Sequence, residues 1–468
     1  MQAIVLGITW LLGGYVIACS AAQIVVSLMT YRIISRGRQF RRAEVAEFLL
    51  TGLEPPVSVI VPAYNEEKTI VTSVRSMLQL RYADYEVIVV NDGSRDGTLA
   101  ELTAAFGLRP FPQAYNARLR TQPVRGVYHS PSHPMLCVTD KENGGGKADA
   151  NNCGINAARF PLFCCVDADS VLERDSLLRA VQPFIEDPRT VACGGTVRLA
   201  NGCSVKDGHL LKAGLPGSWL ARFQILEYLR GFLFGRMGWS QVNGLLIISG
   251  AFGLMHTDTV VEAGGYDPGA VGEDMELVVR MHRVLNRKRR RHRIVYVPEP
   301  VCWTEAPEDL ATLRSQRTRW QRGLCESLWL NRGMLWAWPP SVAGWIAFPY
   351  FVLFEWATPF FETVGYLTLA YVLLMQGVPA KPAVLLLLIA VAFGVLLSCV
   401  ALLLEEMSFH VYQRKADMLK LFAVALLENI GYRQLNLVWR LAGTWQWLRG
   451  KQKAWGAMPR RGIGRAPD

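Results

Sequence analysis

The sequence predicts an α/β domain set between membrane-spanning helices. Three observations predict it: long uncharged apolar runs near both ends of the chain, short β-branched runs in its middle, and helically spaced apolar residues between those runs. At 468 residues the length alone would suit two or three soluble domains, but the apolar residues are spread too unevenly for that.

Residues 3 to 31 carry no charge and are long enough to cross a bilayer. A cleaved signal peptide is the alternative, but no positive residue precedes the run and the run is too long. We therefore expect a retained signal anchor over 1–31. A basic linker follows over 32–51, where Arg32, Arg36, Arg38, Arg41 and Arg42 mark the cytoplasmic end. Residues 336–449 read as transmembrane and interfacial helices. "AVLLLLIAVAFGVLLSCVALLL" is a clear span, whereas "MLKLFAVALLENIGYRQLNLVWRL" contains Glu428 and Arg433, so two or three crossings fit. Glu355 and Glu362 interrupt another apolar stretch; they belong either at a membrane interface or on a polar path through the helices. The tail, 450–468, is basic. A multi-pass protein of the cell membrane with a cytoplasmic domain over 52–335 is the expected layout.

The net charge of +11 raises the question of nucleic acid. The positive residues cluster beside apolar spans and in "RVLNRKRRRHR", at 283 to 293, and no nucleic-acid motif accompanies them. No nucleic-acid partner is expected; topology and anionic lipid headgroups account for the excess. The ten cysteines form no CxxC pair and no metal-ligand spacing, and Cys164-Cys165 reads as strand filling.

"VSVIVPA" (57–63), "YEVIVV" (85–90) and "LFCCVD" (162–167) suit buried parallel strands. Ile70, Val74, Met77 and Leu78 keep helical spacing between the first two, giving a βαβ unit. Ligands of such sheets bind beyond the carboxyl ends of the strands. Tyr64, Asn65 and Glu66 follow the first strand, Asp92 the second, and Asp167 and Asp169 the third. A lone acid after a strand is commonly only a helix cap; agreement among three strand ends is not explained that way.

"KENGGGKADANNCGINAA" (141–158) adds glycines that let a ligand approach and Lys147 at a helix start, a phosphate-binding arrangement without P-loop spacing. Paired with Asp167 and Asp169 it predicts a nucleotide diphosphate and a hard divalent cation, Mg2+ or Mn2+, sharing oxygen ligands. Further on, "GGYDPGAVGEDMELVVRMHRVL" sets Glu273 and Asp274 where a glycine-rich loop enters a helix; capping explains one acid, and Asp274 suits a proton acceptor. "LRSQRTRWQRGL" aligns Gln316, Arg319 and Trp320 on one helical face, for phosphate oxygens and a sugar ring.

Together these residues resemble the membrane-embedded family 2 glycosyltransferases, which include the processive cellulose, hyaluronan, chitin and poly-N-acetylglucosamine synthases. The resemblance runs over about residues 52 to 330 through "VPAYNE", "VNDGS", "GGGKADA", "DAD", "GED" and "QRTRW". It implies a nucleotide-sugar-binding glycosyltransferase A-type domain with a Rossmann-like mixed sheet. It also implies a UDP-sugar donor and a glycan or lipid acceptor. Tyr64, Glu66 and Asp92 would contact the uridine, Lys147 its phosphates, Asp167 and Asp169 the metal, and Asp274 would be the base. Gln316, Arg319 and Trp320 would close over diphosphate and acceptor. Gly272 departs from the family's common TED triplet. Polymer synthesis, single-sugar transfer to a lipid, and an inactive glycan-binding scaffold stay open as readings.

Overall fold

The computed structural model describes residues 2–37, 54–111, 116–206, 208–375, 380–412 and 414–450. Most of the basic linker and of the basic tail therefore lies outside the described residues.

The strands are β1 (Val57–Ala63), β2 (Tyr85–Asp92), β3 (Arg109–Pro110), β4 (Val124–His129), β5 (Leu136–Lys141), β6 (Leu162–Val166), β7 (Val171–Leu172), β8 (Thr190–Leu199), β9 (Ser204–Lys206), β10 (His209–Lys212), β11 (Phe252–His256) and β12 (Arg293–Thr304). Ten of them form one mixed sheet in the order β3-β4-β5-β2-β1-β6-β11-β8-β12-β7, and β9 and β10 make a separate hairpin. β1 runs parallel to β2 and β6, and β2 runs parallel to β5; β11 is antiparallel to both β6 and β8. The reversal of strand order around β1 opens a crevice at the strands' carboxyl ends, as expected of an open α/β sheet.

Both faces of the sheet are covered, so its strands are nearly continuous apolar runs. Val57, Val59 and Val61 pack into one core layer, while Ile60 packs into the other. Cys164 and Cys165 divide in the same way, one thiol to each layer, as strand filling. The Ile70–Met77 helix buries Ile70, Val74 and Met77 against β1 and β2, completing the βαβ unit.

Among the described residues, three helices are long and apolar enough to cross a membrane: Ala3–Arg32, Ala343–Leu374 and Lys381–Ser408. The second contains π-helical turns at Ala343–Ala347 and Phe351–Trp356, and Pro359 opens its regular Thr358–Leu374 part. The expected ambiguity further on resolves physically. Gly431, at φ 85°, separates Lys415–Leu427 from Tyr432–Leu448, and neither helix is long enough to span. Two helices after the sheet domain, among the described residues, are long and apolar enough to cross a membrane. The third span docks on the sheet through a buried ion pair, Arg198 to Glu405 at 2.5 Å. Such a pair adds little net stability, but removing one partner costs about 3–5 kcal/mol.

Candidate active site

β1, β2 and β6 end on one edge, so their polar C-terminal residues meet there. Tyr64 is half exposed; the Glu66 backbone N–H donates to Thr98 Oγ1 at 2.9 Å, and the Glu66 carboxylate accepts from Thr69 Oγ1 at 2.7 Å. Asp92, the last residue of β2, is buried. It accepts from Lys141 Nζ at 2.5 Å and from the Gly144 N–H at 3.0 Å, and Asn143 Nδ2 donates to its carbonyl at 2.7 Å. Burial pushes its carboxyl up, which Lys141 only partly offsets. Asp92 thus anchors the glycine-rich turn as well as facing the crevice.

Lys147 opens the Lys147–Ala157 helix. Its ammonium is bonded to Asp167 and donates to the Gly250 carbonyl at 2.7 Å. Burial pulls this lysine down, but Asp167 and Glu273 outweigh it and hold the ammonium above its ordinary value. Asp169 is 2 % exposed, and the Asp167 side chain 34 %. No group of three or more His, Cys, Asp or Glu that could hold a metal exists among the described residues. The Asp167–Asp169 pair offers only carboxylate oxygens, which fits Mg2+ or Mn2+ provided that a bound diphosphate and water complete the ligand set.

Glu273 and Asp274 form the first turn of the Glu273–Arg287 helix. Asp274 Oδ2 accepts from the Gly250 N–H at 3.1 Å. A Cβ on Gly250 would lie 3.3 Å from Lys147 Nζ and 3.6 Å from Asp274 Oδ2, so this backbone fills the gap between lysine and acid. Glu273 is pushed up to about 7 by burial and by the Asp274 charge. Its folded value exceeds the ordinary 4.5, so the native state keeps a proton that the unfolded chain releases. Stability is therefore fullest below about 4.5 and falls as pH rises towards 7, by on the order of 1.4 kcal/mol per pH unit. Glu273→Gln should flatten the dependence of melting temperature on pH across that window; an unaltered slope would place the titration elsewhere.

The loop that leads into Glu273 and Asp274 lies flush on the Leu310–Leu330 helix. A Cβ on Gly272 would come within 3.0 Å of Gly323 Cα, and one on Gly323 within 2.9 Å of Gly272 Cα. Val271 N–H also donates to Glu326 Oε2 at 2.7 Å. The same helix presents Gln316 and Arg319, with Trp320 40 % exposed.

Sequence reasoning missed three supporting residues. Lys141 is fully buried and bonds Asp149 at 2.5 Å as well as Asp92. Arg317 lies 4.3 Å over the Trp320 ring, covering one face. It is held by Glu227, which also accepts from the Tyr432 hydroxyl at 2.8 Å and from Asn436 Nδ2 at 3.0 Å. Only the Arg317–Trp320 spacing, three residues on a helix, was a signal available in the sequence.

One cavity of about 1360 Å³ is lined by Tyr64, Glu66, Asp92, Lys147, Asp167, Asp169, Glu273, Asp274, Gln316, Arg319 and Trp320. All the expected site residues therefore meet. The lining of the same cavity also includes Glu227, and Glu355, Glu362 and Arg433 on the helices after the sheet domain. Glu362 is paired with Arg433, and Arg440 donates to the Glu355 carbonyl.

A mixed α/β sheet that gathers a DxD pair, a phosphate-type glycine turn and an acid pair around one crevice defines a glycosyltransferase of the A-type fold. The model of "Glycosyl transferase family 2" matches residues 58–239, and that of "Glycosyl transferase family group 2" matches residues 162–397, half of the chain. The chain belongs to the family 2 glycosyltransferases. It is 29 % identical over 269 residues to the poly-beta-1,6-N-acetyl-D-glucosamine synthase of Staphylococcus aureus (strain COL), covering 57 % of this chain and 54 % of that protein. The synthase of the same name from Staphylococcus epidermidis is 27 % identical over 267 residues, with the same coverage. The match thus spans about half the length of these curated relatives. In fold, the chain is similar to a mannosyltransferase from Pyrobaculum calidifontis solved in complex with GDP-Man and Mn2+. That likeness has a TM-score of 0.57 at 16 % identity, covering 94 % of this chain and all of that one.

Proposed function

We propose that the protein is an inverting membrane glycosyltransferase that moves a sugar from a UDP-sugar to a growing β-linked polysaccharide and passes the product outward between its own helices. The observation that supports this reading is one cavity whose lining includes the strand-end acids and Trp320 as well as Glu355, Glu362 and Arg433, beside helices long and apolar enough to cross a membrane. Sugar hydroxyls need partners inside a bilayer, and Glu355, Glu362 and Arg433 offer them.

In this reading Tyr64, Glu66 and Asp92 hold the uridine, and Asp274 takes the proton of an acceptor hydroxyl seated on the open face of Trp320. The hydroxyl attacks the anomeric carbon in line, so an α-linked donor yields a β bond. Lys147, Gln316 and Arg319 stabilise the departing diphosphate. Asp167 and Asp169 would hold Mg2+ or Mn2+, whose charge neutralises that leaving group. The domain faces the cytoplasm: with one span before it and two after it, the basic segments at 32–51 and 450–468 fall on the same side.

The test is purified protein with a panel of UDP-sugars and analysis of the product. UDP-N-acetylglucosamine comes first, because the matched relatives are named for a polymer of that sugar. A polymer ladder supports the reading, a single glycolipid replaces it with transfer to lipid, and no UDP release from any donor leaves a scaffold. Within the passage, Glu362→Gln together with Glu355→Gln should shorten the polymer severalfold while single-sugar transfer persists. Glutamine is the informative replacement, since leucine would leave Arg433 without its partner. Unchanged polymer length would return both residues to a structural role.

A further inference from the structure

We infer that the cationic turn after the Glu273–Arg287 helix and the tryptophan-rich approach to the second span form one docking surface for anionic phospholipid headgroups. The inference rests on the membrane reading above. Within the turn, Glu262 engages Lys288 at 2.5 Å and Arg290 at 3.3 Å. Arg287, Arg289 and Arg291 are exposed and have no ion pair with any described residue. Three like charges without an ion pair, next to two more cations that share a single carboxylate, favour an anionic partner.

The fold pins this turn beside the segment that leads into the second candidate span. Asn286 Nδ2 donates to the Pro339 carbonyl at 2.6 Å, and Arg283 donates to the Leu330 carbonyl at 3.3 Å, tying the turn to the segment that leads into Ala343–Leu374. From the other side, Asn243 Nδ2 donates to the His292 carbonyl at 2.9 Å. Asn243 follows the Arg236–Gln241 helix, where a Cβ on Gly238 would meet Val26 and Thr30, near the Arg32 end of the first span. The turn therefore sits between the cytoplasmic ends of two spans.

The second, independent feature is aromatic. Trp336 is 84 % exposed and Trp338 72 %, a few residues before the span begins. Indoles beside a span settle at headgroup depth, where one edge is apolar and the other wet. Cationic turn and exposed indoles on one side describe a lipid surface better than an acidic protein, which would need neither the indoles nor the proximity to two span ends. Each basic side chain near an anionic leaflet adds attraction that falls off within a Debye length.

The test uses the full chain in nanodiscs of phosphatidylcholine and phosphatidylglycerol, with photoreactive headgroup analogues of each lipid. Adducts on 283–293 and 336–338 should form about tenfold more with the phosphatidylglycerol probe. The preference should vanish near about 1 M salt. It should also vanish in the triple variant R287Q/R289G/R291Q, which breaks no ion pair and puts glycine at a left-handed position, φ 54°. Equal labelling by the two probes, or full labelling of the triple variant, overturns the inference. An acyl-chain probe on Ala343–Leu374 reports embedding separately. A labelled span with an unlabelled turn sinks this inference alone, and an unlabelled span sinks the membrane reading with it.

Discussion

Asp274→Asn is expected to keep donor binding and to lower sugar transfer by about 100- to 10,000-fold, the range for loss of a general base. Asparagine is nearly isosteric, and its amide oxygen can still accept the Gly250 N–H that Asp274 Oδ2 accepts at 3.1 Å, so the loop stays in place. What disappears is the ability to take a proton. The change also removes the charge that helps to raise Glu273, so that carboxyl should titrate lower in the variant. Donor affinity by calorimetry and UDP release by a coupled assay separate binding from chemistry. Near-normal turnover would move the base to another group, with Glu273 the first to examine.

The second large effect is expected at Asp169. Asp169→Ala should weaken UDP-sugar binding in Mg2+ or Mn2+ by about 100-fold or more, since several kcal/mol of charge stabilisation is lost with a metal ligand. Excess chelator should abolish wild-type activity. Asp167→Ala is not equivalent, because it also releases Lys147, whose ammonium Asp167 and the Gly250 carbonyl now hold. Full activity in chelator would reject the metal-bridged diphosphate and leave Lys147 and Arg319 to carry the leaving group.

What could be read from the sequence is what depends on local pattern. The β-branched runs, the acids directly after them and the helical spacing of Gln316, Arg319 and Trp320 each lie within a few residues, so periodicity reaches them. Lys141 was invisible for the opposite reason. It meets Asp92 because β2 and β5 pair in register with those two residues opposite, and parallel register between distant strands is a tertiary fact. Glu227 likewise acts through Arg317, Tyr432 and Asn436, which lie far from it in the chain. The segment around Glu428 and Arg433 resisted reading because two charged residues interrupt an apolar run, and hydropathy alone does not say whether such a run is one helix or two. The first helix ends at Leu427, and Gly431, at φ 85°, precedes the start of the next at Tyr432.

The glycine at 272, which departs from the commoner threonine, has a consequence for how the enzyme could be altered. Gly272 and Gly323 touch backbone to backbone, so neither has room for a side chain. The separation between Asp274, the proposed proton acceptor, and Trp320, the proposed acceptor platform, is thus gauged by two main chains rather than by adjustable side chains. Restoring a threonine would wedge the two apart and detune both at once. A different acceptor geometry would have to come from shortening or lengthening one of these elements, with the glycine pair acting as a fixed caliper between them.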